Sequence, residues 1–423
     1  MNRPKPALIF IFITLFLDVL GIGLIIPILP RLIDELTQGG IDSAAYVFGA
    51  LAGIYSLVQF AFAPIIGSLS DRFGRRPVIL ISLFGSGIDY FLMAWAPTLA
   101  WFFVARIISG VAGANYAAAF AYIADISPKQ KRAANFGIIG AAFGLGFIFG
   151  PALGGWLGDQ SLRLPFYAAG VLTLINWLYG FFILPESLNS KNQRLFNWKR
   201  ANPIGALLEL RKYPLVHGLS ISYFLSSLAQ QIYPAIWVLY TAYRYNWSSK
   251  ETGFSLALVG LTAAIVQGGL SRVVIPKIGE RNAAVGGLIV MASAMVGYGL
   301  ATESWMVYLV IIFGSLSGVS VPAIQGMISI TVGADEQGGL QGSLTSLQSA
   351  AGFLGPPFAA GIFGYFVSEH APFSLPGAAF FSSAGVVLLS ALVAARSFKA
   401  NKFNHRDLCA ENEADSRQST DQG

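Results

Sequence analysis

Between two long apolar stretches the chain reads GSLSDRFGRRPV, Gly67 to Val78. Asp71, Arg72, Arg75 and Arg76 are crowded into this run, flanked by Gly67, Gly74 and Pro77. A charged side chain at a bilayer centre costs about 2.5–3.5 kcal/mol, so charges at this density need water or protein partners. The apolar segments on either side therefore read as two membrane spans that turn back within a few residues.

The rest of the chain agrees. Of its 423 residues, 55% are hydrophobic and only 11% charged, with a mean hydropathy of +0.62. Soluble domains carry about 25% charged residues, which excludes a water-solvated globule. Segments this long and apolar point to helices and exclude a β-barrel, since lipid leaves only those two ways to satisfy the backbone. Windows of about 20 apolar residues predict twelve spans. The first six fall near 7–29, 46–66, 78–96, 99–122, 135–157 and 164–184. The second six fall near 216–241, 252–273, 282–301, 305–328, 340–366 and 373–396. The expected domains are a six-helix half at 1–184, a basic cytoplasmic loop at 185–214, a second six-helix half at 215–396 and a disordered tail at 397–423. The first span, interrupted by Asp18, is too long for a signal-peptide core and reads as uncleaved.

Basic residues orient the chain. With the N-terminus inside, cytoplasmic segments hold 22 of the 27 Lys and Arg residues. External loops hold Arg31, Arg163, Arg244 and Lys250, and Arg106 is intramembrane. Positive-inside sorting gives this imbalance, with both termini cytoplasmic. It also accounts for the net charge of +6 without a nucleic-acid partner. The single cysteine, Cys409, excludes a disulfide framework and a Cys-based metal site.

The halves echo each other. GSLSDRFGRR at Gly67 returns as GGLSRVVIPKIGER at Gly268, and Gly150-Pro151 returns as Gly355-Pro356. A repeat of that length places the working site near the midplane between two halves.

Three ionisable residues lie deep within spans: Asp18, Asp89 and Arg106. At 1.5 Å per residue, each acid sits about 17 Å from its cytoplasmic end and Arg106 about 18 Å from that side. All three thus reach similar depth in one half. Burial favours a neutral carboxyl and a neighbouring cation favours the charged form. Two acids sharing one arginine therefore read as a proton-exchange site, against the alternative of a static pair that fixes helix packing. In the loop, Asp71 is expected to accept from a helix N-terminus. Arg75 and Asp125 are expected to complete a relay that latches the halves. Span 5 reads FGLGFIFGPALGG, where Gly146, Gly150, Gly154 and Gly155 permit close helix approach and Pro151 bends the helix. Gln59, Ser82, Asn115, Gln231, Gln267 and Gln325 are candidate cavity residues. No HExxH, GxSxG or Walker loop occurs, and His217, His370 and His405 are scattered, so no enzyme, cofactor or metal site is expected.

These motifs resemble the major facilitator superfamily, specifically the drug:proton antiporter branch and its tetracycline-resistance subgroup. GSLSDRFGRRPV is similar to the superfamily's loop between spans 2 and 3, RIISGVAGA from Arg106 to its span 4 motif, and GFIFGPALGG from Gly146 to the antiporter signature. LPESL at Leu184, VPAIQGMIS at Val321 and LQGSL at Leu340 resemble the subgroup more narrowly. The resemblance implies a monomeric, all-α inner-membrane transporter of bacteria that exports a small amphipathic compound in exchange for protons. It implies proton coupling at Asp18, Asp89 and Arg106, gating at Asp71 and Arg75, and functional polar roles for Gln59, Ser82 and Gln267. The subgroup's histidine in span 8 and aspartate in span 9 are Ala263 and Met291 in this chain. A metal–tetracycline cation would therefore lack its acidic partner in the second half. The alternatives are a proton-linked or facilitative carrier of a metabolite, nutrient or siderophore, and a transport-inactive scaffold.

Overall fold

The computed structural model describes residues 8–37, 40–126, 132–188, 214–331 and 337–400. The first half holds α1 (Leu8–Ile25), α2 (Leu29–Thr37), α3 (Gly40–Phe73), α4 (Arg75–Trp95), α5 (Leu99–Ala112), α6 (Tyr116–Ile126), α7 (Arg132–Gln160) and α8 (Leu164–Phe182). The second holds α9 (Pro214–Tyr245), α10 (Ser249–Ile265), α11 (Ser271–Ile278), α12 (Glu280–Leu300), α13 (Ser304–Ser315), α14 (Ser320–Thr331), α15 (Gln337–Val367) and α16 (Ala378–Ala400). Short 3-10 turns carry α5 into α6 and α13 into α14, and a π turn at Val266–Leu270 carries α10 into α11. Among the described residues eight helical stretches are long and apolar enough to cross a membrane. Their outer surface suits lipid: Ile81 is 73% exposed, Phe182 76% and Leu300 65%.

Local chemistry sets the helix ends. Ser248 and Glu251 form a reciprocal capping box at the start of α10, with the Ser248 N–H donating to Glu251 Oε2 at 2.7 Å. Gly74 separates α3 from α4 and Gly279 separates α11 from α12, at φ of 106° and 82°. A residue with a Cβ is strained there, and glycine is not. The expected turn at Gly67–Val78 is thus a single glycine between two helices. The last helix runs to Ala400, beyond the expected end of the second half at residue 396. Most of the central loop, and the tail from residue 401, lie outside the described residues.

The halves meet along two seams. In one, α7 lies against α10: a methyl group on Gly155 would come within 3.1 Å of Gly253 Cα and would also overlap the Ser249 carbonyl oxygen. In the other, α3 lies against α15, where a methyl on Gly53 would come within 2.9 Å of the Pro357 ring. Both seams start at the end opposite Gly67–Val78. There the Arg31 guanidinium donates to the Trp247 carbonyl, and the Lys250 N–H donates to Asp159 Oδ1 at 3.2 Å.

Candidate functional site

Between the seams lies a cavity of about 270 Å³ walled by both halves. Its charged wall belongs to the first half. Asp18 comes from α1, Asp89 and Tyr90 from α4, Arg106 from α5, Tyr55 from α3, and Asn115 and Tyr116 from the turn into α6. Among the described residues the second half supplies mainly apolar groups, Pro234, Ala235 and Pro356, with Gln231 as its polar contribution.

The three intramembrane charges expected at one depth therefore share one cavity. Asp89 is 1% exposed, and its Oδ2 stands 3.6 Å from Arg106 Nη2. That is an ion pair longer than a hydrogen bond, and Ser109 is the polar neighbour of the Asp89 carboxylate. Arg106 donates to Met93 Sδ at 2.9 Å and stands 5.6 Å from the centre of the Tyr55 ring. Asp18 is 5% exposed and has Asn115 and Tyr116 as polar neighbours. The arginine is thus paired with Asp89, and Asp18 sits among neutral groups. Tyr55 lies within electrostatic reach of all three charges. The arrangement offers one compensated and one uncompensated acid on a wall that a substrate can touch.

The candidate cavity residues divide. Asn115 and Gln231 line the central cavity. Gln59 donates to the Gly113 carbonyl at 3.0 Å, and Gln325 donates to the Tyr223 hydroxyl at 3.1 Å. Ser82 is buried in α4, and neither it nor Gln59 nor Gln325 lines a described cavity. Gln267 lines a second cavity within the second half, together with Ala263 and Met291.

The loop cluster is built differently from the expectation. Arg75 pairs with Asp71 at 2.5 Å, and its Nε donates to Asp125 Oδ2 at 3.1 Å. Its Nη1 donates to Ser70 Oγ at 2.7 Å. Arg72 is exposed, and Arg76 donates to the Phe181 carbonyl. The acceptor at the α4 N-terminus is Glu186, which sequence reasoning missed, and not Asp71. Its two oxygens accept from the Arg75 and Arg76 N–H groups at 3.0 and 3.1 Å. Its position in LPESL, directly after a span, was the available signal. Every partner named here lies in the first half or directly after its last helix, so these contacts tie α3, α4, α6 and the segment after α8 rather than the two halves.

The glycines of α7 serve both contacts of that helix. A methyl on Gly146 would meet Val19 Cγ1 at 2.6 Å, one on Gly150 would meet Gly23 Cα at 2.7 Å, and one on Gly154 would overlap the Leu24 carbonyl, all on α1. Gly155 faces α10 in the other half. Pro151 lies inside α7 and takes part in the same seam, because a methyl on Gly253 would overlap its carbonyl.

Comparison with known proteins accords with this architecture. The family model of the Major Facilitator Superfamily matches residues 11–356 and 219–413. The tetracycline resistance protein of class C from Escherichia coli is 40% identical over 354 residues, 84% of this chain and 89% of that protein. The class B protein from Escherichia coli is 38% identical over 343 residues, 80% of this chain and 84% of that protein. The crystal structure of the human organic anion transporter MFSD10 superposes with a TM-score of 0.69 at 26% identity, covering 92% of this chain and 98% of the other. The chain therefore belongs to the major facilitator superfamily, and it is an all-α, multi-pass membrane transporter.

Proposed function

We propose that the chain is a proton-coupled exporter of a small amphipathic compound. It works by alternating access in the inner membrane of a bacterium, with twelve spans and both termini cytoplasmic. Asp18 and Asp89 exchange the proton, and Arg106 releases or holds Asp89 as the cavity changes exposure. The observation that carries this reading is the placement of these three groups on the wall of one cavity shared by both halves. A buried acid that faces substrate can give up its proton to one side and be reprotonated from the other. A scaffold gains nothing from such charges in lipid.

The relatives' names tie them to tetracycline resistance. In this chain the second half faces the cavity with Gln231, Pro234, Ala235 and Pro356, without an acidic group among the described lining residues. The compound is accordingly one whose polar or cationic end meets the acids of the first half and whose apolar end meets the second.

The test is proton release from everted membrane vesicles holding a pH gradient, across a panel of amphipathic drugs and metabolites. A compound that dissipates the gradient with the wild type, but not with Asp18→Asn or Asp89→Asn, supports the proposal. Substrate movement without a proton signal would replace it with a facilitative carrier.

A further inference from the structure

The second half contains a cavity of its own, about 430 Å³, within the range of small-molecule sites. No lining residue is common to it and the charged one, and α9 and α15 contribute to the walls of both. Gln230 and Tyr233 line the inner cavity, and Gln231, Pro234 and Ala235 line the central one. Among the described residues its lining holds no charged group.

The internal repeat says what this cavity is. Gly74 and Gly279 lie 205 residues apart, as do the first residues of α4 and α12, of α5 and α13, and the pair Pro151 and Pro356. At that offset Asp89 falls on Ala294 and Arg106 on Ile311. Both line the inner cavity and both are buried, Ala294 at 3% and Ile311 at 2% exposure. The second half thus keeps the place of the ion pair and has exchanged both charges for hydrocarbon. In their stead it offers the amides of Gln230, Gln267 and Gln348 and the hydroxyl of Tyr233. That hydroxyl oxygen is buried and has no hydrogen-bond partner, so a ligand that displaces the groups covering it gains a bond the free protein lacks.

We propose that this cavity is a second binding site, selective for an uncharged small molecule with an apolar body and carbonyl, amide or hydroxyl groups. Amides and a phenol satisfy such groups directly, whereas an ion entering here would be buried without a counter-charge. The site is independent of proton exchange in the first half, so its test and the proton-flux test fail separately.

The experiment is equilibrium binding to the full-length protein in lipid nanodiscs, without a pH gradient. The probes are radiolabelled chloramphenicol, which is uncharged, and tetraphenylphosphonium, a lipophilic cation directed to Asp18 and Asp89. The two probes are expected to bind together without competition. Ala294→Leu, which fills the inner cavity, is expected to weaken chloramphenicol at least tenfold and leave tetraphenylphosphonium within twofold. The latter binding also shows that the variant is folded. Tyr233→Phe keeps the shape and is expected to weaken chloramphenicol about three- to tenfold, the worth of one hydrogen bond. Asp89→Asn is expected to weaken only the cation. Absent chloramphenicol binding, competitive displacement by the cation, or indifference to both Ala294→Leu and Tyr233→Phe would overturn the proposal.

Discussion

A single methyl group at Gly155 is expected to open the end of the transporter opposite the Gly67–Val78 loop. The added carbon would overlap the Ser249 carbonyl oxygen and come within 3.1 Å of both Ser249 C and Gly253 Cα. All three are backbone atoms, which cannot rotate aside, so α7 and α10 must part by a few tenths of an ångström. Overpacking of this kind costs about 1–3 kcal/mol. The contact is between halves, so the cost falls on the conformation with this seam closed and not on the fold of either half. Tenfold per 1.4 kcal/mol converts it to roughly a 5- to 150-fold shift toward the open seam. Alanine is also the better helix former by about 0.5–1 kcal/mol, so Gly155→Ala should not unfold the helix. The assay is alkylation of a cysteine at Leu29, a buried cavity-lining position near this seam, in a Cys409→Ser background. A membrane-impermeant maleimide supplied from the face away from the loop is expected to react at least fivefold faster in Gly155→Ala. Gly286→Ala is the control, since a methyl there meets nothing within 4 Å. An unchanged rate in folded Gly155→Ala, or an equal rise in the control, would refute the reasoning.

Three further outcomes follow from contacts described above. Arg106→Gln leaves the buried Asp89 carboxylate uncompensated and is expected to cost about 3–5 kcal/mol. Asp89→Asn/Arg106→Gln should recover folded yield in membranes while remaining inactive, and a double variant no better than Arg106→Gln would contradict the pairing. Glu186→Ala removes the anion that accepts from two N–H groups at the start of α4 and should destabilise by about 1–2 kcal/mol. Loss of more stability in Asp71→Ala than in Glu186→Ala, in thermal unfolding of the detergent-solubilised protein, would assign the cap wrongly. Ser255→Ala strands the buried Trp237 indole N–H, which donates to Ser255 Oγ at 2.9 Å, and should cost about 1–3 kcal/mol by the same measurement. No loss there would mean that another acceptor takes over.

What could be read in the sequence was what leaves a mark on solvation. Charges in apolar segments stand out, so Asp18, Asp89 and Arg106 were visible as a group, and counting residues from the span ends placed them at one depth. That α7 approaches a neighbour closely was visible because only glycine permits it; that the neighbour is α1 was not. Other features left no such mark. Glu186 reaches the α4 N-terminus across 111 residues, and an acid just beyond a span looks like any solvated loop residue. The inner cavity is lined by neutral groups, which cannot be told in sequence from helix-packing residues. The same ambiguity mixed Gln59 and Gln325, which bond within their own halves, with Asn115 and Gln231, which face the central cavity. The π turn at Val266–Leu270 was hidden too, because the apolar window runs through it unbroken.

The central claim is that the acids of the first half couple substrate movement to protons, and proteoliposomes test it most directly. Once a substrate is in hand, exchange of labelled for unlabelled compound at equal pH is compared with uptake driven by a pH gradient. Asp89→Asn is expected to retain exchange, since the cavity persists, and to lose gradient-driven accumulation. Gradient-driven accumulation that survives in Asp18→Asn/Asp89→Asn would contradict the account.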